Sequence, residues 1–558
     1  MATRVIPFPG SKRTAPSSGR SIGDFLIRRL RQYGVNHVFG IPGDYVLGFY
    51  DLLERSPIDV IGTCKEDAAG FAADAYARIN GLGACCVTYC VGGLSITNAI
   101  AGAYAEKSPV VVLTGSPGLR ERTHDPMLHH KVKDFNTQRD IFSHITAAAV
   151  VIDDPETAFR TIDETLATCM RTKRPVYIEL PRDMVDVVPQ SSYRSGSMPL
   201  LDDPAALDEA VAEIVRLVNA AKNPVILAGV EVHRHGMQPA LLQLVERTGI
   251  PVAVTLLGKS VISERHPRYL GVYEGAMGRS DVADVVENSD CLLALGTFMT
   301  DVNLGVFTAN LQRERSIQVN GEAIQVHHHR YVNMRFENVM KALANAPIGH
   351  RNIPLPEADD IPLLQPTDDP IHTEQLFRRL NALLEDDMAV VCDVGLCLFA
   401  AIDLVIHKRT EFIAPAYYTS MGFGVPAGLG VALANDKLRP IILVGDGAFQ
   451  MTGMELSSIA RQGLAPIVIV LNNRGYTTER AIKDGPYNDI LEWNYDALPQ
   501  LLGTGSAFDI RSEREFVAAW HEAVEDTESF TLLNVHLDPN DHCPALKRLG
   551  ERLAANLE

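Results

Sequence analysis

The chain has 558 residues, enough for three or four domains of ordinary size. Its 46% hydrophobic and 22% charged residues suit globular domains with large cores, and no run of ~20 apolar residues predicts a membrane span. A formal net charge of −18 repels nucleic-acid backbones and argues against their binding as the main task.

Residues 1–20 are rich in Ser, Pro and Gly and carry four cations without an acid. They lack an amphipathic apolar face, which fits a disordered tail better than a transit peptide. Phe25–Tyr33 then reads as a helix stopped by Gly34. Val38–Phe39 leads into a turn at Gly40-Ile41-Pro42-Gly43-Asp44. Ile58–Thr63 is a short β-branched run, and Asp67–Ile79 is an Ala-rich helix that Gly81 can end. Ala84–Tyr89 and Val110–Thr114 are apolar strands flanking a helix that Gly92-Gly93 opens. A second block places strands in Pro224–Val230, Pro251–Thr255 and Asp290–Gly296, with a helix at Pro239–Arg247 between the first two. The acidic, Pro-rich stretch Pro354–Pro370 reads as a linker.

Continuous apolar strands alternating with helices predict parallel sheets covered on both faces. The expected fold class is therefore α/β, with three doubly wound parallel-sheet domains. Residues 21–195, 196–353 and 371–558 are their expected extents, with 354–370 as the linker. No residue-level repeat relates them.

The nine cysteines are odd in number, lie mostly in apolar segments and show no CxxC zinc spacing. Reduced, buried thiols in a cytoplasmic protein are expected, and Cys64 reads as a packing residue. His327-His328-His329 follows an apolar strand end and reads as a loop in preference to a metal tract.

The third block holds the most informative constellation. Ile441–Val444 is a buried strand with Gly445-Asp446-Gly447 at its carboxyl end. Met454–Gln462 reads as a helix, and Ile467–Leu471 is the next strand, capped by Asn472-Asn473. A right-handed crossover of this length sets Asp446 and Asn473 at the carboxyl ends of two parallel strands, where open α/β sheets bind ligands. The residue types suit Mg²⁺: one carboxylate oxygen from Asp446, one amide oxygen from Asn473 and a backbone carbonyl from Gly475. Gly445 and Gly447 permit close approach of backbone to phosphates. A lone Gly-Asp-Gly is a common turn. Its pairing with Asn472-Asn473, with 24 residues between Gly447 and Asn472, is what points to a bound metal–diphosphate.

The segment from Val444 to Glu479, VGDGAFQMTGMELSSIARQGLAPIVIVLNNRGYTTE, resembles the thiamine-diphosphate motif of the 2-oxo acid decarboxylases. Lys483–Asn488 resembles the pyruvate decarboxylase branch. Tyr417–Gly430, YYTSMGFGVPAGLG, resembles the phenylpyruvate and indolepyruvate decarboxylase branch. The resemblance covers nearly the whole chain after residue 20. It implies thiamine diphosphate and Mg²⁺ as cofactors and a pyrimidine-binding, a central and a diphosphate-binding domain in that order. It also implies a homodimer or homotetramer whose active sites are shared between subunits.

Glu66 alone is an acid at a helix start, which the helix dipole favours anyway. The resemblance makes it the glutamate that bonds the cofactor's pyrimidine nitrogen, and so the residue that activates the cofactor. It makes Met421 the apolar prop under the bent cofactor and assigns the Thr419 carbonyl to the exocyclic amine, where many relatives have Gly. Adjacent His129 and His130 would diverge by about 100° on a helix and make a poor metal clamp. With Asp44 and Glu479 they resemble the proton-handling set of the decarboxylases. Leu396, Leu398, Thr478 and Ile482 are the expected substrate pocket. Pyruvate-specific relatives carry Trp at the position of Leu398 and Ile at that of Thr478. Leu396 stands where both branches usually carry an acid. The smaller, apolar set predicts phenylpyruvate or indole-3-pyruvate as substrate over pyruvate or a branched-chain 2-oxo acid. Two rivals are an acetolactate synthase or other carboligase, which a flavin in the central domain would support, and a non-catalytic thiamine-diphosphate-binding protein, which would have lost Asp44, Glu66 and Glu479.

Overall fold

A computed structural model describes residues 19–190, 192–194, 203–356, 363–406 and 411–555. The expected tail lies outside them, apart from Gly19 and Arg20, as do the 195/196 boundary and the middle of the expected linker. Pro370 at the linker's end bridges Ser512, so it is tied to the third sheet's domain.

The described chain builds three sheets. The first contains β1 (His37–Ile41), β2 (Asp59–Gly62), β3 (Gly83–Val87), β4 (Val110–Ser116), β5 (Ala149–Val151) and β6 (Val176–Pro181) in the order β2-β1-β3-β4-β6-β5. All its pairings are parallel. The second contains β7 (Pro224–Ala228), β8 (Val252–Val254), β9 (Tyr269–Val272), β10 (Cys291–Leu295), β11 (Ser316–Val319), β12 (Ile324–Val326) and β13 (His329–Tyr331). Their order is β13-β12-β11-β10-β7-β8-β9. The third contains β14 (Met388–Cys392), β15 (Phe412–Ile413), β16 (Arg439–Gly445), β17 (Ile467–Asn472), β18 (Ser506–Ile510) and β19 (Thr531–His536) in the order β15-β14-β16-β17-β19-β18. It too is wholly parallel. Burial explains the apolar runs: every residue of β3, β4, β7, β10, β14 and β17 is buried.

The second sheet departs from the all-parallel expectation. β12 and β13 pair antiparallel at its edge. They are short, and β11 and β12 alternate buried with half-buried residues, as a one-sided antiparallel ribbon does. His327 sits in the turn between β12 and β13 with φ +50°, and His329 opens β13, its Nδ1 2.9 Å from Glu213 Oε2. The first two histidines are therefore in a turn, while the third is a strand residue with a carboxylate partner.

Eight cysteines are buried, as expected, but Cys64 is exposed. It occupies the turn after β2, where its Sγ lies 3.1 Å from Ser457 Oγ of the third domain.

The helix Glu66–Asn80 shows why an Ala-rich sequence was needed. It ends on Gly81, left-handed at φ +92°, and Ala68 through Arg78 are all buried. One side rests on the first sheet. The other packs against the helix Gly424–Ala434 of the third domain, so closely that a Cβ on Gly430 would lie 2.1 Å from the Ala72 carbonyl oxygen. Small side chains on both faces are the condition for this contact.

Buried ions fasten the domains. Arg78 donates to Asp74 at 2.8 Å, to Glu106 at 3.0 Å and to the Ala414 carbonyl at 2.8 Å. Lys107 pairs with Glu231 of the second domain, both buried. Lys259 of the second domain pairs with Glu264 at 2.9 Å and donates to the Leu404 carbonyl of the third at 2.7 Å. A buried ion pair resists separation, because removing either partner strands a charge in a poorly solvated place.

Candidate active site

In the third sheet the strand order reverses direction around β14 and β16, and the carboxyl ends there form the crevice where doubly wound sheets take ligands. Asp446 follows β16 directly and Asn473 follows β17 directly. The chain after Gly445 does not form the open turn that Gly-Asp-Gly suggests. Asp446 starts a short helix, Asp446–Thr452, and the next helix is Leu456–Arg461.

The Asp446 carboxylate is buried and accepts the Gly447 amide at 2.7 Å and the Gly475 amide at 3.2 Å. Among the described residues no cation forms an ion pair with it, and burial pushes it up to about 6 against the pull of these backbone amides. Asn473 Oδ1 is buried without a hydrogen-bond partner. A buried carboxylate lacking a cation, next to an orphaned amide oxygen, is a donor set that fits a hard divalent cation. The two glycines differ in purpose. A Cβ on Gly445 would meet open space, which suits close approach of a ligand, whereas one on Gly447 would lie 2.4 Å from the Tyr476 ring. Gly475 is required for another reason: its φ is +150°, and a Cβ there would lie 2.0 Å from the Asn488 carbonyl oxygen.

Asp393, at the end of β14, holds the neighbouring loop. Its buried carboxylate accepts the amides of Val394 at 2.9 Å, Gly422 at 3.2 Å and Gly424 at 2.7 Å. Burial raises it to about 6, with those three amides opposing. Met421 is therefore followed directly by a fixed backbone. Thr419, two residues before it, adopts φ +54°. That left-handed conformation is costly for a β-branched residue and explains why glycine suits the position. Glu106 of the first domain secures the same loop from its other end, accepting the Tyr417 and Tyr418 amides at 2.8 and 2.9 Å.

In the first domain, Glu66 begins its helix half-buried. The turn before it is held from the third domain: buried Glu455 accepts the Cys64 amide at 2.9 Å and the Lys65 amide at 3.2 Å. Asp44 lies three residues beyond β1, and its Oδ2 is 2.8 Å from His129 Nε2. His129 and His130 are not helical. His130 has φ +67°, and the two rings stand 4.8 Å apart at 80°. The Tyr45 ring stacks on His129 at 4.6 Å. The expected divergence of a helical pair is thus overturned by a turn that gathers both rings beside Asp44.

Glu479 and Ile482 are exposed on the helix Thr477–Ile482. Thr478 Oγ1 is buried without a partner, 3.7 Å from where a Cβ on Gly395 would lie, so the start of the Leu396–Ala400 helix and Thr478 adjoin. Leu396 is 6% exposed and Leu398 fully buried within the hydrophobic core.

Asp393, Glu455 and Glu106 are site residues that the sequence reading does not single out. Asp393 carries the same signal as Asp446, an acid directly after an apolar strand. Glu455 lies inside the quoted motif, but nothing local marks it. Glu106 ends a helix and shows its use only through partners more than 300 residues away.

Three family models match: "Thiamine pyrophosphate enzyme, N-terminal TPP binding domain" over residues 20–139, the central domain over 211–346, and the C-terminal TPP binding domain over 393–535. The chain belongs to the thiamine pyrophosphate enzymes, and within them to the 2-oxo acid decarboxylases. It is 34% identical to an indole-3-pyruvate decarboxylase of Azospirillum brasilense, over 92% of this chain and 94% of that one. It is 32% identical to pyruvate decarboxylase 1 of Pisum sativum, over 98% and 96% of the two chains. Pyruvate decarboxylase isozyme 3 of Saccharomyces cerevisiae is 33% identical over 87% and 89%. Relatives of both substrate names thus stand at nearly the same identity. Among the described residues no helix is long and apolar enough to cross a membrane.

Proposed function

We propose that the chain decarboxylates a bulky aromatic 2-oxo acid, phenylpyruvate or indole-3-pyruvate, to an aldehyde without oxidation. The reading rests on the apolar wall that Leu396 offers beside Thr478 at the carboxyl end of β14. The identity to an indole-3-pyruvate decarboxylase supports it. Buried Leu398 is assigned to the backing of this pocket and exposed Ile482 to its rim.

Asp446 and Asn473, with the Gly475 carbonyl, would hold Mg²⁺, and Gly445 would lie against the diphosphate. Thiamine diphosphate, when bound, supplies an electron sink for the pair left behind by departing CO₂. Glu66 holds a proton at the cofactor's pyrimidine nitrogen. Met421 would pack against the cofactor, and the Thr419 carbonyl would accept from its amine. Asp44, His129, His130 and Glu479 would move protons at the reacting carbon after decarboxylation, since several titratable groups at one centre can both deliver and withdraw a proton. The Asp44–His129 contact orients the first imidazole, and the Tyr45 ring fixes its plane.

Asp44, His129, Glu479 and Thr419 are all exposed in the single chain. That exposure supports a homodimer or homotetramer in which a second subunit closes each site and excludes water. The extents 21–195, 196–353 and 371–558 are assigned to the pyrimidine-binding, central and diphosphate-binding domains.

The test is reconstitution of the apoprotein with thiamine diphosphate and Mg²⁺, followed by a coupled aldehyde assay. Wild type turns over phenylpyruvate only when both are present. Glu66→Gln at saturating cofactor loses at least about 10²-fold in kcat, as removal of a general acid–base group does. Near-wild-type turnover of that variant would sink the assignment of Glu66.

A further inference from the structure

We propose that Asp44, His129 and His130 form a binding site for a borderline-soft divalent cation, with Zn²⁺ the best fit, separate from the Asp446–Asn473 site. One ligand atom from each of the three lies within 4.8 Å of the others. The shortest separation is the 2.8 Å between Asp44 Oδ2 and His129 Nε2. Tetrahedral zinc with bonds of about 2.0–2.2 Å sets its ligand atoms about 3.3 Å apart. The short contact must therefore open by about 0.5 Å, and the longest must close by about 1.5 Å. Side-chain rotation supplies both movements, because the Asp44 and His129 side chains are 44% and 58% exposed.

Three observations beyond proximity support a ligand. His130 Nδ1 is buried and has no hydrogen-bond partner among the described residues. The left-handed turn at His130 turns its ring toward that of His129, which a helical pair could not do. The stacked Tyr45 ring limits the freedom of His129, so less side-chain entropy is lost on binding.

The charges around the cluster do not prevent binding. Arg182 Nη1 lies 3.9 Å from Asp44 Oδ2 and opposes a cation. It is itself paired with Glu121, which offsets it. Lys131, in the same loop, is paired with Asp125 at 2.5 Å.

The donor set decides the metal. Two imidazoles and one carboxylate favour zinc and its neighbours, whereas Mg²⁺ prefers oxygen and fits the carboxylate–amide site instead. Three protein ligands leave a fourth position for water, which is the pattern of an open zinc site. On the reading given under Proposed function, bound zinc takes the lone pairs and the carboxylate that move protons at the reacting carbon. Zinc then inhibits the decarboxylase while Mg²⁺ and cofactor stay in place.

The experiment uses the holoenzyme at saturating Mg²⁺ and thiamine diphosphate. Zn²⁺ binding is measured by equilibrium dialysis, and Co²⁺ is used in parallel for its visible absorption. Wild type should bind one Zn²⁺ per chain that Asp44→Asn and His130→Ala bind at least about tenfold more weakly, with circular dichroism unchanged. Co²⁺ should show the absorption of a four- or five-coordinate site in wild type alone. Equal Zn²⁺ affinity in wild type and both folded variants overturns the proposal, as does six-coordinate Co²⁺ absorption in all three. Turnover separates this idea from the functional reading. Variant-sensitive zinc binding without inhibition keeps the metal site and refutes the proton-handling role. Loss of turnover in the variants without zinc binding to wild type does the reverse.

Discussion

Replacing Asp393 with asparagine should remove one identifiable part of the pH dependence of stability. Asp393 is fully buried, and burial raises its carboxyl from the ordinary 3.8 to about 6. Between those values the folded chain holds a proton that the unfolded chain has released, so stability falls as pH rises through this window and is level above it. The displacement corresponds to about 3 kcal/mol, roughly half of which falls between about pH 5 and about pH 7.5. Asparagine cannot ionise and carries no such slope. It also keeps one acceptor oxygen where the carboxylate had two, so at least one of the Val394, Gly422 and Gly424 amides loses its partner. That loss costs about 1–3 kcal/mol and does not depend on pH. The offset and the slope are therefore separable. Urea unfolding of the cofactor-free chain would be followed by emission of Trp520, buried in the third domain. The gap between wild type and Asp393→Asn should narrow by about 1–2 kcal/mol between about pH 5 and about pH 7.5. A gap constant to within about 0.5 kcal/mol across that range would refute the buried-carboxylate reasoning.

Arg78→Met should destabilise the junction of the first and third domains by about 3–5 kcal/mol, because Asp74 and Glu106 are left buried without their cation; a loss below about 1 kcal/mol in the same urea assay would contradict the ion network. The variant should also raise hydrogen exchange at the Tyr417 and Tyr418 amides, which Glu106 holds. Thr478→Ile should lower kcat/KM for phenylpyruvate relative to pyruvate by about tenfold or more, since added methylenes in an apolar pocket are worth about 1–3 kcal/mol; an unchanged ratio would remove Thr478 from the pocket.

The central parallel strands were legible where burial on both faces makes an unbroken apolar run, as in Ile441–Val444 and Ile467–Leu471. The antiparallel ribbon β11–β13 was missed although Ser316–Val319 alternates, because four residues are too few to separate a strand from a turn. Asp446–Thr452 escaped notice as a helix because glycine at 447 argues for a turn, while the Tyr476 ring packed against it needs that glycine. Spacing and residue type pointed to Asp446 and Asn473. Nothing in the sequence said that Asn473 Oδ1 is orphaned or that Asp446 lacks a cation. The clamps Asp393, Glu106 and Glu455 act on backbone amides, and a backbone amide leaves no trace in side-chain identity. His129 and His130 show the opposite error, in which a local rule for helices was applied to a turn.

An aromatic substrate pocket is tested most directly by kcat/KM for a panel of 2-oxo acids, measured as aldehyde release by the holoenzyme with thiamine diphosphate and Mg²⁺. It predicts aldehyde from phenylpyruvate or indole-3-pyruvate with a specificity constant above that for pyruvate. A higher specificity constant for pyruvate would contradict the aromatic pocket, and aldehyde from none of the acids would contradict decarboxylation itself.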